Sequence, residues 1–367
     1  MINLYDNLLE QIHKGLDTKD TTIPFSIEKL NWYIDIAPNM MTTIGGITGS
    51  AKSTSVQEFY IFNVLDWYLK NKGKTDLKLS IIYFGMERKM FMYSSKFVSR
   101  IIYQNEGLSI PFSKILGRNK EKITEAELST VLHYMDILKQ WQQDETLICF
   151  EGAKNPTGIS KFIEEFARKH GEIIPRKDGT LESKSYKPHH PNHLVLIITD
   201  HVGLLKSEKV DGVKKQNIDK FSDTMRDARD LYGFSPVIVQ QLNRSVMDVN
   251  RLKLADTLPK LSDFAETSQT SHDSDIVLAL LDPYSVLPTD TLKDFAGYEL
   301  SKLKDAKGAK FYRTLHILKN SFNSNGITIP LAFNPYYGIF KEMPKKAQDM
   351  LDSDYKLITD GLYFLKN

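Results

Sequence analysis

Residues 42–54 read TTIGGITGSAKST, and no other stretch of the chain narrows the choice of fold as sharply. The β-branched Thr42, Thr43 and Ile44 make a strand, Gly45 and Gly46 open a turn, and Lys52, Ser53 and Thr54 start a helix through Val56, Phe59, Tyr60 and Val64. A strand, a glycine-rich turn and a helix N-terminus in that order form an anion cradle, because flexible backbone exposes N–H groups and the helix dipole adds partial positive charge. The spacing from Gly46 to Lys52 and Ser53 is that of a P-loop, in which the lysine reaches the β/γ-phosphates of a nucleotide and the hydroxyl holds Mg²⁺. The cradle then consists of Gly46, Gly49, Ser50, Ala51, Lys52, Ser53 and Thr54. Ala51 stands where the motif has its second glycine. Alanine tolerates positive φ poorly, so the loop is expected to hold only if residue 51 is already helical. The competing reading is an ordinary strand-to-helix turn that happens to carry a lysine.

A chain of 367 residues holds either two ordinary domains or one large α/β domain. Hydrophobic residues at 41% and charged residues at 26% are a globular balance. No apolar run approaches the ~20 residues of a membrane span, so no membrane role is expected. The opening MINLYDNLLEQIHKG sets Asp6 and Glu10 among its apolar residues and lacks the basic-then-apolar order of a secretory signal. Cys149 is the single cysteine, which excludes an intrachain disulfide and fits a reducing, cytoplasmic compartment. The net charge of +2 leaves nucleic acid open as a partner, since a local basic patch is enough.

Ahead of the P-loop, Leu4, Leu8, Leu9 and Ile12 recur at helical spacing, and the helix ends near Gly15. Such a helix docks on its own domain or on a neighbouring subunit. After the P-loop helix, Leu79 to Phe84 form a continuous β-rich run of the kind buried on both faces of a parallel sheet, ending at Gly85, Met86 and Glu87. A carboxylate at the C-terminal end of such a strand lies where open α/β sheets bind ligands. The plainer alternative is a glutamate at a helix start. Thr124 followed by Glu127 is a capping-box signature, and Thr146 to Phe150 read as a strand. Residues 171–192 are polar and read as a hairpin or mobile insertion. Their His189 and His190, and the adjoining His193, lack the further ligands and spacing of a zinc site and read as loop histidines.

The run HLVLIITD, residues 193–200, ends in Asp200, and an apolar strand followed by an acid supplies the hard oxygen that Mg²⁺ needs beside a P-loop. An aspartate capping a βα turn is the alternative. Residues 206–217 are a lysine-rich loop that includes Lys214 and Lys215, followed by a helix from Ile218 to Tyr232. The next strand, VIVQQLNR, delivers Gln241, Asn243 and Arg244 to the same sheet edge, where a glutamine can sense a γ-phosphate and orient its attacking water. Strands at Ile276 to Leu281 and Thr314 to Leu318 flank a second insertion, 284–310, and ITIPLAFNPYYGIF alternates as a hairpin. The tail after Pro344 is charged and expected to be helical.

From Ile23 to Phe340 this order of elements resembles the C-terminal, RecA-like motor domain of DnaB-type replicative helicases. The resemblance is carried by the P-loop, YFGMER, LIITDHVGLL, IVQQLNR, LSDFAETSQTSHDSDIV, and ILKN followed by a Gly326 turn and LAFN. It implies an α/β, RecA-like P-loop NTPase core: a largely parallel twisted sheet flanked by helices, with antiparallel strands at its C-terminal edge. The implied organisation is a linker-like helix at 1–20, an ATPase domain at 21–343 with insertions at 171–192 and 284–310, and a tail at 344–367. The expectation is therefore a motor domain without that family's large N-terminal primase-binding domain.

Residue by residue, the resemblance assigns Lys52 to the phosphates of ATP, Ser53 and Asp200 to Mg²⁺, Glu87 to polarising the attacking water, and Gln241 to the γ-phosphate. Two arginines of the family are missing. Lys319 is kept in the closing strand, but Ser321 stands where an arginine reaches the neighbouring subunit's ATP, a contact worth about 10³ to 10⁵ in rate. Arg313, Lys319 or a basic group from an insertion would have to substitute. Ala265 replaces a DNA-contacting arginine, leaving Arg244, Arg251, Lys253, Lys214 and Lys215 as candidates to grip phosphates without sequence preference. The expectation is an ATP-driven, ring-forming hexameric motor on single-stranded DNA with replication proteins as partners. The alternatives are a RecA-like nucleotide-binding scaffold or loader, and a recombination-type filament ATPase.

Overall fold

Runs such as LSIIYF and LVLIIT have no polar face, so they are stable only between two layers of other residues. They lie at the heart of a nine-stranded sheet in a computed structural model. The structure describes residues 22–366 apart from 119–120, 176–183, 209–212, 249–250, 252–256 and 287–294, together with Tyr5, Leu8, Leu9 and Ile12. Those four isolated residues are helical with exposed side chains; the rest of the helix expected over 3–13 lies outside the described residues.

In chain order the strands are β1 (Thr42–Gly46), β2 (Lys78–Gly85), β3 (Leu147–Glu151), β4 (Gly171–Pro175), β5 (Lys184–Pro188), β6 (His193–Asp200), β7 (Ser235–Gln241), β8 (Ile276–Leu281), β9 (Tyr312–Asn320), β10 (Ile327–Asn334) and β11 (Ile339–Glu342). The large sheet runs β11-β10-β9-β8-β1-β7-β6-β2-β3. It is parallel from β8 to β3, and antiparallel through β9, β10 and β11. This is the RecA-like α/β arrangement expected from the sequence.

Helices cover both faces. Six-residue α1 (Lys52–Gln57) passes through a π-helical turn, Glu58–Phe62, into α2 (Asn63–Asn71); α3 (Met90–Glu106) and α4 (Glu125–Gln143) follow. α5 (Pro156–His170) and α6 (Lys214–Tyr232) pack on the other face. Because side chains alternate along a strand, Ile81, Tyr83, Leu196 and Ile198 join Val56, Phe59 and Phe97 on one side. Ile82, Phe84, Val195 and Ile197 join Ile163, Phe221 and Met225 on the other. The Thr124–Glu127 capping box forms, with Thr124 Oγ1 accepting from Glu127 N at 3.2 Å and Glu127 Oε2 accepting from Thr124 N at 2.8 Å.

Residues 171–175 and 184–188 pair as the antiparallel hairpin β4–β5. The described part of 284–310 is folded down: Tyr284, Tyr298, Leu300 and Leu303 are buried with Tyr355, Ile358 and Phe364 of the tail against Phe311, Tyr312 and Ile339. The tail contributes a short helix, α7 (Asp352–Thr359). One boundary differs from the sequence reading. α6 begins at Lys214 rather than Ile218, so Lys214 and Lys215 occupy a helical first turn and not a loop. Lys214 is paired there with Glu266, which offsets the unfavourable placement of a cation at a helix N-terminus.

Candidate active site

The four strands β1, β7, β6 and β2 are successive neighbours in the sheet; β1, β7 and β6 end at the candidates Gly46, Gln241 and Asp200, and Glu87 follows two residues after β2. Gly46 is in register with Gln241, and Gly85 with Asp200. Met86 N donates to Asp200 O at 2.9 Å, and Glu87 follows two residues beyond Gly85, the residue opposite Asp200. The Glu87 side chain is half-exposed, with Arg88 Nε 3.9 Å away. The C-terminal edge of a parallel sheet is where open α/β folds bind ligands, and here it gathers the P-loop, Gln241, Asp200 and Glu87.

The loop itself departs from the sequence reading at one residue. Ala51 has φ 74 and ψ 27, the left-handed conformation, and the helix begins only at Lys52. The expectation that residue 51 must be helical is therefore wrong: the loop keeps the path a glycine would take, and the methyl group bears a cost of roughly 1–2 kcal/mol. Close approach is also tight at Gly46, where an added Cβ would lie 2.5 Å from Ser50 Oγ. Ser50 is fully buried, and its hydroxyl has no hydrogen-bond partner in the protein.

Lys52 is buried at the first position of α1, and Ser53 Oγ donates to Asp200 Oδ1 at 2.8 Å. The other oxygen, Asp200 Oδ2, accepts from Tyr83 OH at 3.0 Å, and Tyr83 OH accepts from Gln57 Nε2 at 3.0 Å. Burial raises the pKa of Asp200, with the Ser53 and Tyr83 hydrogen bonds opposing it. Gln241 Nε2 donates to Thr48 Oγ1 at 2.8 Å, which ties the β7 end to the loop. Burial and the nearby Lys52 lower the pKa of His201, next to Asp200. Two hard oxygens on Ser53 and Asp200, a buried lysine and an unpartnered Ser50 hydroxyl fit a Mg²⁺-bound polyphosphate.

Tyr83, Gln57 and Thr48 were not singled out in the sequence. The one available signal was a tyrosine inside an otherwise apolar strand, because a buried phenol needs a partner for its hydroxyl.

Other candidates lie elsewhere. Lys319 is in register with Val277, which is opposite Thr43, three residues or roughly 10 Å before the P-loop end of β1. Its Nζ donates to the His272 carbonyl at 2.7 Å and the Ser271 carbonyl at 3.3 Å, so it is remote from its own chain's cradle. Arg313 is not available as a substitute finger. It is buried beneath its own P-loop, where Nε donates to the Ser50 carbonyl at 3.1 Å. Arg251 is likewise engaged, with Asp263 Oδ1 at 2.7 Å and the Leu258 carbonyl at 2.7 Å. Lys215 is exposed, and Lys214 is paired with Glu266. Lys253 and the side chain of Arg244 lie outside the described residues.

Residues 175–342 match the family described as the DnaB-like helicase C terminal domain. Over that span the chain is similar to DnaB-type helicase C-terminal domains. Among solved structures, one determined as an ATPase domain aligns over 93% of this chain and 99% of its own, at TM-score 0.65 and 16% identity. A DnaB-like replicative helicase, solved with its interactions with primase, aligns over 91% of this chain and 67% of its own, at TM-score 0.60 and 18% identity. No curated protein matches the chain by sequence. The DnaB-type match includes Asp200, Gln241 and Lys319. The P-loop and Glu87 precede it, and their place in the fold rests on the sheet and its structural likeness.

Proposed function

We propose that the chain is an ATP-hydrolysing motor that assembles as a ring and moves on single-stranded DNA. The observation that carries this reading is the convergence of Lys52, Gln241, Asp200 and Glu87 at the C-terminal ends of four neighbouring strands. Lys52 and the backbone N–H groups of the loop bind the phosphates of ATP. Ser53 and Asp200 would hold Mg²⁺, which would neutralise charge on the phosphate oxygens. Glu87 accepts a proton from the water that attacks the γ-phosphorus, and the bond to the bridging oxygen of ADP breaks. Gln241, free to exchange its contact with Thr48, orients the γ-phosphate and that water.

The remaining charge comes in trans. Lys319 lies toward the opposite end of the sheet, where its Nζ donates to two carbonyl oxygens of its own chain and not to a carboxylate among the described residues, which suits it to a neighbouring copy's nucleotide. Residues 206–217 and 245–260 are the segments proposed to follow the DNA backbone.

A second reading keeps the nucleotide site and omits the motor. It is favoured by Ser321, which carries no charge, and by Arg313, which is committed to its own loop. Measuring Mg²⁺-dependent ATPase with and without single-stranded DNA, then strand displacement on a forked duplex, separates the two. The motor requires DNA stimulation and unwinding; hydrolysis that ignores DNA, with no displaced strand, would establish the scaffold instead.

A further inference from the structure

The left-handed backbone at Ala51 has to be held by something, and the side chain that meets the loop at that point is Arg313. Arg313 belongs to β9, which reaches the centre of the sheet through β8. Arg313 is 5% exposed, and its Nε donates to the Ser50 carbonyl at 3.1 Å. Three further contacts fix its position: NH1 donates to the Tyr312 carbonyl at 2.6 Å, Asp282 Oδ1 lies 3.5 Å away, and the Phe333 ring centroid is 4.7 Å from the guanidinium carbon. Asp282, at the end of β8, is itself held by Tyr284 N at 3.1 Å and Ser285 Oγ at 2.9 Å. The arginine is thus a braced strut rather than an adaptable side chain.

The Ser50 carbonyl and the Ala51 N–H belong to one planar trans peptide and point in opposite directions. A guanidinium that captures the carbonyl therefore fixes the direction of the Ala51 N–H, turning it away from Arg313. That N–H is one of the loop donors next to Lys52, and its direction changes if the peptide rotates to relieve the positive φ at Ala51. Glycine at this position would adopt the same backbone without help.

We propose that Arg313 is a positioning residue for the P-loop, pinning the Ser50–Ala51 peptide so that an alanine holds the phosphate-ready conformation that glycine would adopt unaided. The inference rests on the nucleotide reading of the loop. It couples the strand that follows the 284–310 insertion to the phosphate cradle.

The test is a double-mutant cycle in the full chain, with Arg313→Met, Ala51→Gly and the double variant compared with wild type. The measurements are equilibrium titration with Mg²⁺–ADP, kcat and KM for ATP, and thermal unfolding. Arg313→Met is expected to weaken Mg²⁺–ADP at least tenfold, and this defect is expected to shrink at least threefold in the Ala51→Gly background. Arg313→Lys keeps the charge facing Asp282 but has one ammonium in place of the guanidinium fork; it carries the same comparison if the methionine variant does not fold. A merely structural arginine would lower the melting temperature with unchanged ADP affinity, or give losses that Ala51→Gly does not reduce. Either result overturns the proposal while leaving nucleotide binding intact. Failure of the wild-type chain to bind Mg²⁺–ADP would overturn both the proposal and the nucleotide reading beneath it.

Discussion

Ser53 and Asp200 are 147 residues apart in the chain, yet the Ser53 hydroxyl donates to Asp200 Oδ1 at 2.8 Å across the end of the sheet. Asp200 is fully buried, and its second oxygen is occupied by Tyr83. Ser53→Ala should therefore remove one of the two oxygens proposed to hold Mg²⁺ and leave the P-loop backbone in place. The expected outcome is at least a tenfold loss of ADP affinity in the presence of Mg²⁺ and little change in its absence, measured by titration with and without EDTA.

Glu87 and Lys52 should separate by their effects on binding. Glu87 stands off the loop with a half-exposed carboxylate, whereas Lys52 is buried at its mouth. Glu87→Gln is expected to lower ATPase kcat by about 10² to 10⁴ with ADP binding retained, the range for loss of a general base. Lys52→Ala should lose hydrolysis and binding together. Steady-state kinetics paired with ADP titration checks both, and hydrolysis surviving in both variants would remove these residues from the site.

The π-helical turn after α1 carries a buried ion pair. Arg100 donates to Glu58 Oε2 through Nε at 2.8 Å and NH2 at 2.5 Å, and its guanidinium stacks 3.9 Å from the Phe62 ring centroid. Burial raises the pKa of Glu58, and the charge and hydrogen bonds of Arg100 oppose that rise. Arg100→Met leaves the Glu58 carboxylate unpaired and should destabilise the fold by about 3–5 kcal/mol, read from urea unfolding. Adding Glu58→Gln to the same chain should recover much of the loss.

His316 gives a pH dependence with a definite sign. It is buried between Thr314 Oγ1 at 2.8 Å and Thr328 Oγ1 at 3.0 Å, and burial lowers its pKa to about 4 from 6.5. The unfolded chain therefore binds more protons than the folded one between these values, and stability falls as pH drops through that window. His316→Gln should reduce the stability lost between about pH 7 and pH 4.5 by on the order of 2 kcal/mol, measured as the difference in urea midpoints.

Local chemistry made much of this legible in advance. A glycine-rich turn before Lys52 and Ser53 announces a cradle wherever it occurs, and apolar strands ending in Glu87, Asp200 and Gln241 announce a common edge if the sheet is parallel. The capping box at Thr124 and Glu127 is equally local, because both partners lie within one helical turn. Lys214 shows where such reasoning stops. At the helical start it pairs with a carboxylate, Glu266, that is 52 residues away.

The amino-acid sequence by itself determined the RecA-like elements, their order and the identity of the residues at the strand ends, because periodicity and turn chemistry act between near neighbours. Only the tertiary structure decided what surrounds those residues. Ala51 takes a positive φ that its own side chain disfavours, against the expectation from its local preference, and Arg313, which the chain offers as a free cation, is buried beneath Ser50. Both outcomes arise from packing β9 against β8 and the loop, where contacts between residues more than 200 positions apart outweigh a local cost of roughly 1–2 kcal/mol.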